Sequence, residues 1–82
     1  MKLPRDLRGE ELAKLLRKYG YQVTRQTGSH LRLTSKLRGK DHHVTISRHD
    51  PLKVGTLNSI LKDVASYLGK TKEQVLKELF EG

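Results

Sequence analysis

Eighty-two residues with 34% apolar side chains, no cysteine and a formal net charge of +8 leave room for one domain over residues 1–82, and exclude disulfides and thiolate metal sites. A chain this short buries only about 60–65% of the surface it exposes when unfolded, so a thin core of Leu, Val and Ile is expected, with any chemistry on an open surface. No apolar run reaches the length of a signal peptide or a membrane span, and the expectation is a cytoplasmic protein with no membrane partner.

The charge is unevenly placed. Residues 1–62 hold fourteen Lys/Arg against five Asp/Glu, whereas residues 63–82 hold three against four. A surplus confined to the first three-quarters of the chain suits a surface that tracks a phosphate backbone. A solvated surface without a ligand would show the same balance.

In chain order, Gly9-Glu10-Glu11 followed by Leu12, Leu15, Leu16 and Tyr19 predicts an amphipathic helix. Its acids lie in the first turn, Lys14, Arg17 and Lys18 come later, and Gly20 is its stop. The period then falls to two. Tyr21 and Val23 alternate with Gln22 and Thr24, Leu31 and Leu33 with His30, Arg32 and Thr34, and Val44 and Ile46 with His43, Thr45 and Ser47. Three half-buried strands follow. Leu57, Ile60, Leu61, Val64, Ala65 and Leu68 restore helical spacing after Gly55, and Gly69 ends that helix. Thr71-Lys72-Glu73-Gln74 fits a capping box and opens a last helix through Val75, Leu76, Leu79 and Phe80. The expected class is α+β: a three-stranded antiparallel sheet with helices on one face, in the order α-β-β-β-α-α.

Register places the polar residues. With residues 36–41 as the second loop, Leu33 meets Val44 and Leu31 meets Ile46, as a one-sided core demands. His30 then comes opposite Ser47, and Arg32 opposite Thr45. For the first hairpin, a three-residue loop Gln26-Thr27-Gly28 sets Val23 against Leu31 and Tyr21 against Leu33. Gly28 would be its structural turn residue, with positive φ, and Thr24 a further neighbour of His30.

Gly28-Ser29-His30 is the centre of interest. A histidine at a strand start just after a tight turn is exposed, fixed in direction and flanked by small polar groups. Imidazole titrates near neutrality and serves as a general acid or base. RNA carries its own nucleophile, the 2′-hydroxyl, so one histidine with cationic phosphate holders is a sufficient minimum. Spacing by itself also fits a plain polar residue on a solvated face. Lys36, Arg38 and Lys40 in the second loop read as phosphate contacts or as an ordinary solvated loop. His42 and His43 point to opposite faces of a strand, His49 falls in a loop, and no metal site or cofactor is expected. Tyr19 and Tyr21 are placed in the core.

The chain resembles the HicA (YcfA-like) family, the toxin half of a toxin–antitoxin module. The residues that carry the likeness begin with Met1-Lys2-Leu3-Pro4-Arg5, Gly9-Glu10-Glu11-Leu12 and Lys18-Tyr19-Gly20-Tyr21. They continue through Gly28-Ser29-His30-Leu31-Arg32-Leu33, Val44-Thr45-Ile46, Arg48-His49, the stretch Leu52 to Leu57, and Ile60-Leu61. The Gly-Ser-His block and the Gly-Thr-Leu helix start, in this order and spacing, are the specific part. The resemblance implies a fold like a double-stranded-RNA-binding domain, metal-independent cleavage of mRNA, and inhibition by a HicB-like antitoxin. It places the catalytic histidine at His30 and carries no second catalytic residue. The residues themselves, by charge and register, make Ser29, Arg32, Lys36, Arg38 and Lys40 the RNA-binding candidates and Thr24 and Ser47 possible support. Ser47 stands where relatives often have proline. A non-catalytic RNA- or DNA-binding module, or a decayed toxin kept as an interaction protein, is the rival reading.

Overall fold

The computed structural model describes residues 6–81. Helix α1 spans Gly9–Leu16 and buries Leu12, Ala13 and Leu16. Its first turn is closed by the Glu11 carboxylate, which accepts the Arg8 N–H at 2.9 Å. A 3₁₀ turn, Arg17–Tyr19, follows and ends at Gly20, whose φ of 80° supplies the left-handed stop. Strands β1 (Gln22–Thr27), β2 (His30–Ser35) and β3 (His42–Ser47) form one antiparallel sheet in the order β1-β2-β3. Helix α2 spans Val54–Leu68, so Gly55 lies inside its first turn rather than ahead of it. Gly69, with φ 70°, ends α2. Helix α3 spans Lys72–Phe80 behind the expected capping box: Thr71 Oγ1 accepts the Gln74 N–H at 3.1 Å, and Gln74 Oε1 accepts the Thr71 N–H at 2.9 Å.

The apolar faces of all three helices meet Leu31, Leu33, Val44 and Ile46 in a single cluster, so the opposite sheet face carries no helix. Register between β2 and β3 is the one that alternation predicts: Leu33 pairs with Val44, Leu31 with Ile46, Arg32 with Thr45 and His30 with Ser47. A one-residue slip would turn every one of these apolar groups into water, and that penalty fixes the pairing. Tyr19 and Tyr21 are buried, as expected.

The first hairpin differs from expectation. β1 and β2 join through a two-residue turn, Gly28-Ser29, closed by the pair Thr27–His30. The three-residue loop Gln26-Thr27-Gly28 is not formed, and positive φ among the described glycines occurs at Gly20, Gly39 and Gly69, not at Gly28. Val23 pairs with Leu33 and Gln26 with Leu31, with a β-bulge at Thr24 between them. The reason is a conflict between the two ends of β1. The tight turn sets the register from Thr27 inward, and Val23, the strand's one apolar residue, sets it near Leu33. These registers differ by one residue, and the bulge absorbs the difference. Even so, Val23 is 48% exposed, because β1 is an edge strand.

Candidate nucleic-acid interface

The helix-free face is built from alternate residues of all three strands. β2 contributes His30, Arg32 and Thr34; the partners directly opposite on β3 are Ser47, Thr45 and His43. From β1 come Thr27 opposite His30 and Arg25 opposite Arg32. His30 is exposed. Its Nδ1 lies 3.0 Å from Ser29 Oγ, and its Nε2 has no partner among the described residues. A serine hydroxyl can donate to a bare Nδ1 or accept from a protonated one. The contact therefore holds the ring in both tautomers while leaving Nε2 free to give or take a proton.

Arg25, Thr27, His30, Arg32 and Thr45 line a shallow recess of about 170 Å³ around that imidazole. The Arg48 N–H donates to the Ser29 carbonyl at 2.8 Å, which makes His30–Ser47 the next, non-hydrogen-bonded pair, where side chains stand closer together. Ser47 Oγ is nevertheless engaged elsewhere, donating to Asp50 Oδ2 at 3.3 Å. The hydroxyl bonded to His30 is that of Ser29.

Thr24 is not beside His30. The bulge carries it along the strand, where its Oγ1 donates to the Arg32 carbonyl (3.3 Å) and lies 2.8 Å from Thr34 Oγ1. Thr34 Oγ1 in turn lies 2.8 Å from His43 Nδ1. A second recess, about 340 Å³, adjoins this group and is lined by Thr24, Arg25, Arg32, Thr34, Lys36, Asp41 and His43.

The three basic loop residues are divided by the structure. Lys36 borders the open face. Arg38 and Lys40 line a separate hollow with Asp41, His42, Asp63, Ser66 and Tyr67. There the Tyr67 hydroxyl accepts the Arg38 N–H at 2.9 Å and donates to the Lys40 carbonyl at 2.5 Å, tying the β2–β3 loop to α2. His42 stacks on Tyr67 with ring centroids 4.8 Å apart, and its Nδ1 lies 2.6 Å from the Tyr21 hydroxyl. Burial, reinforced by Tyr67 and Asp63, pushes the Tyr21 phenol well above its usual range, so it stays protonated and donates. His42 and His43 thus face opposite sides of β3. His49 lies beyond β3, and its carbonyl accepts from the Arg8 guanidinium at 2.7 Å. Among the described residues no three His, Asp or Glu groups gather as metal ligands.

Arg25 is the residue that alternation missed. Counted from Val23 it falls on the core side, and only the bulge turns it to the open face beside Arg32.

These features define a small cationic α+β protein whose exposed sheet face gathers an imidazole, hydroxyls and guanidinium groups. A family model described as the HicA toxin of bacterial toxin–antitoxin matches residues 9–65, and the chain belongs to that family. It is accordingly the toxin of a toxin–antitoxin system, with an antitoxin as its partner. The matched span contains the whole open face and ends before α3; the Met1–Arg5 part of the likeness lies outside the described residues. Comparison with curated proteins and with solved structures gave no match. No helix among the described residues is long and apolar enough to cross a membrane.

Proposed function

We propose that this toxin is a metal-independent endoribonuclease that cuts mRNA on the open sheet face, with His30 as its catalytic residue, and that a HicB-like antitoxin restrains it. The observation that carries the reading is the exposed His30 imidazole, held at Nδ1 by Ser29 and bordered by two guanidinium groups. Family membership supports the reading.

The chemistry needs little more from the protein. The RNA 2′-oxygen attacks the adjacent phosphorus, its proton passes to a base, and the bond to the 5′-oxygen breaks as that oxygen takes a proton. A cyclic 2′,3′-phosphate and a 5′-hydroxyl result. Nε2 of His30 serves either transfer, or both in turn. Arg32 and Lys36 neutralise phosphates on the same face. Ser29 orients the ring and Gly28 completes the turn that presents it; Ser47 faces His30 from β3 with its hydroxyl held by Asp50, and Thr24 acts at a distance, by bracing the Arg32 backbone. Arg38 and Lys40 meet an RNA only if it runs on past the loop. The donor set on this face is hydroxyl, imidazole and guanidinium, which suits acid–base chemistry better than divalent-metal ligation.

The test is cleavage of a long unstructured RNA by purified protein in EDTA, wild type beside His30→Ala, with the product termini identified. Cyclic phosphate ends formed only by the wild type support the reading. Equal rates from both proteins remove His30 from its role. RNA bound but uncut by either favours a non-catalytic module.

A further inference from the structure

The two arginines that face each other across β1 and β2 are an unusual arrangement. Arg25 and Arg32 are directly paired, both are exposed, and neither forms an ion pair among the described residues. Like charges directly opposite on a sheet face destabilise it. Ordinary pairing does not require them to meet. Were the register at Val23–Leu33 continued without interruption, Thr24 would face Arg32 and Arg25 would turn towards Leu31. The bulge at Thr24 brings the second guanidinium round, and Thr24 Oγ1, bonded to the Arg32 carbonyl and to Thr34, pins the bulge to β2.

We infer that Arg25 and Arg32 together form a clamp for one phosphate of single-stranded RNA, one nucleotide away from the bond that His30 cuts. The inference rests on the reading of the open face as an RNA surface. Two guanidinium forks offer parallel N–H donors to the oxygens of a single phosphodiester, a geometry that ammonium groups do not reproduce. The bound anion removes the repulsion that the free protein bears. Arg32 lies two residues along β2 from His30, about 6.6–6.8 Å, close to the advance of one nucleotide in an extended strand. Both arginines line both recesses, so the clamp stands between the hollow at His30 and the one at His43. The RNA accordingly runs along β2, with its next base in the second recess against the His43 ring that Thr34 holds.

The test measures binding of a fluorescein-labelled oligouridylate across a salt series. All variants are made in the uncleaving His30→Ala background, with Lys77→Ala on α3 as control. Arg25→Ala and Arg32→Ala should each weaken binding about tenfold to a hundredfold, and Arg25→Lys should recover only part of the loss. If one phosphate is shared, the double variant loses less than the sum of the singles, and its log–log salt slope falls by about 0.7, the increment for one single-strand phosphate, instead of about 1.4. Without RNA the arginine variants should melt at or above the parent temperature, which separates lost contact from lost fold. Unchanged binding in Arg25→Ala, or strictly additive losses with the larger slope change, would overturn the clamp while leaving His30-dependent cleavage by the otherwise wild-type protein untouched. The converse, a clamp that behaves as described in a protein that cuts nothing, supports the clamp and ends the nuclease reading alone.

Discussion

Gly9 lies directly against the end of β3: a Cβ at residue 9 would stand 1.7 Å from the Ser47 carbonyl oxygen. The next amide, Glu10 N–H, donates to the Arg48 carbonyl at 3.1 Å. The start of α1 therefore seats on the backbone of the residue that faces His30. Gly9→Ala forces helix and strand apart, and overpacking of this kind costs about 1–3 kcal/mol. Urea unfolding should show the loss, with cleavage falling in step as Ser47 shifts. An alanine variant as stable as the parent would mean that α1 moves without cost.

His30→Ala should lower the cleavage rate by about a hundredfold to ten-thousandfold, the usual contribution of a general acid or base. Being exposed, the position should change stability by no more than about 0.5 kcal/mol. Ser29→Ala removes the single hydrogen bond on Nδ1 and should slow cleavage about fivefold, the equivalent of about 1 kcal/mol. Single-turnover rates beside melting curves separate the two effects. A serine variant as slow as the histidine variant would make Ser29 a participant in proton transfer.

Tyr67→Phe should loosen the β2–β3 loop without touching the open face. The hydroxyl serves the Arg38 amide and the Lys40 carbonyl, with the Ser35 carbonyl 3.3 Å away; water reaches the exposed loop groups when it is removed, so the loss is about 0.5–1.5 kcal/mol. Hydrogen exchange at the Arg38 amide should accelerate while exchange in β2 stays slow. Equal acceleration in both would show that the tie supports the whole sheet.

Acid should weaken the junction between α3 and the turn after α1. The Tyr19 hydroxyl donates to Glu78 Oε1 at 2.6 Å, and the Lys70 ammonium lies 2.9 Å from Oε2. The Tyr19 hydrogen bond, followed by that from Lys70, holds the Glu78 carboxyl below its ordinary value. A depressed value in the folded state means that folding favours the carboxylate. This stabilisation is complete above the ordinary glutamate value and is lost as pH falls through the lower, folded one. The difference in Tm between wild type and Glu78→Gln should stay constant from neutral pH to about 4.3 and close below that. A gap that persists unchanged in stronger acid would assign it to shape, not charge.

The order of elements, the β2–β3 register and the face on which His30 stands were all legible in the residues alone. Each rests on burial of apolar groups at a fixed period: Leu31 and Leu33 must meet Ile46 and Val44, and His30 then has nowhere to go but the opposite face. The capping box at Thr71 was legible for a similar reason, since its partners lie three residues apart. The course of β1 was not legible there and emerged only in the folded chain. From Thr24 to Thr27 that strand has no apolar residue, so alternation could not choose between registers, and an edge strand is constrained on one side only. Closure of the Gly28-Ser29 turn and the pull of Val23 towards Leu33 settled it through a bulge, and the bulge alone set Arg25 beside Arg32. The parting of Lys36 from Arg38 and Lys40 was equally invisible, because it depends on Tyr67, which lies 27 residues along the chain from Lys40 and meets it only when α2 packs.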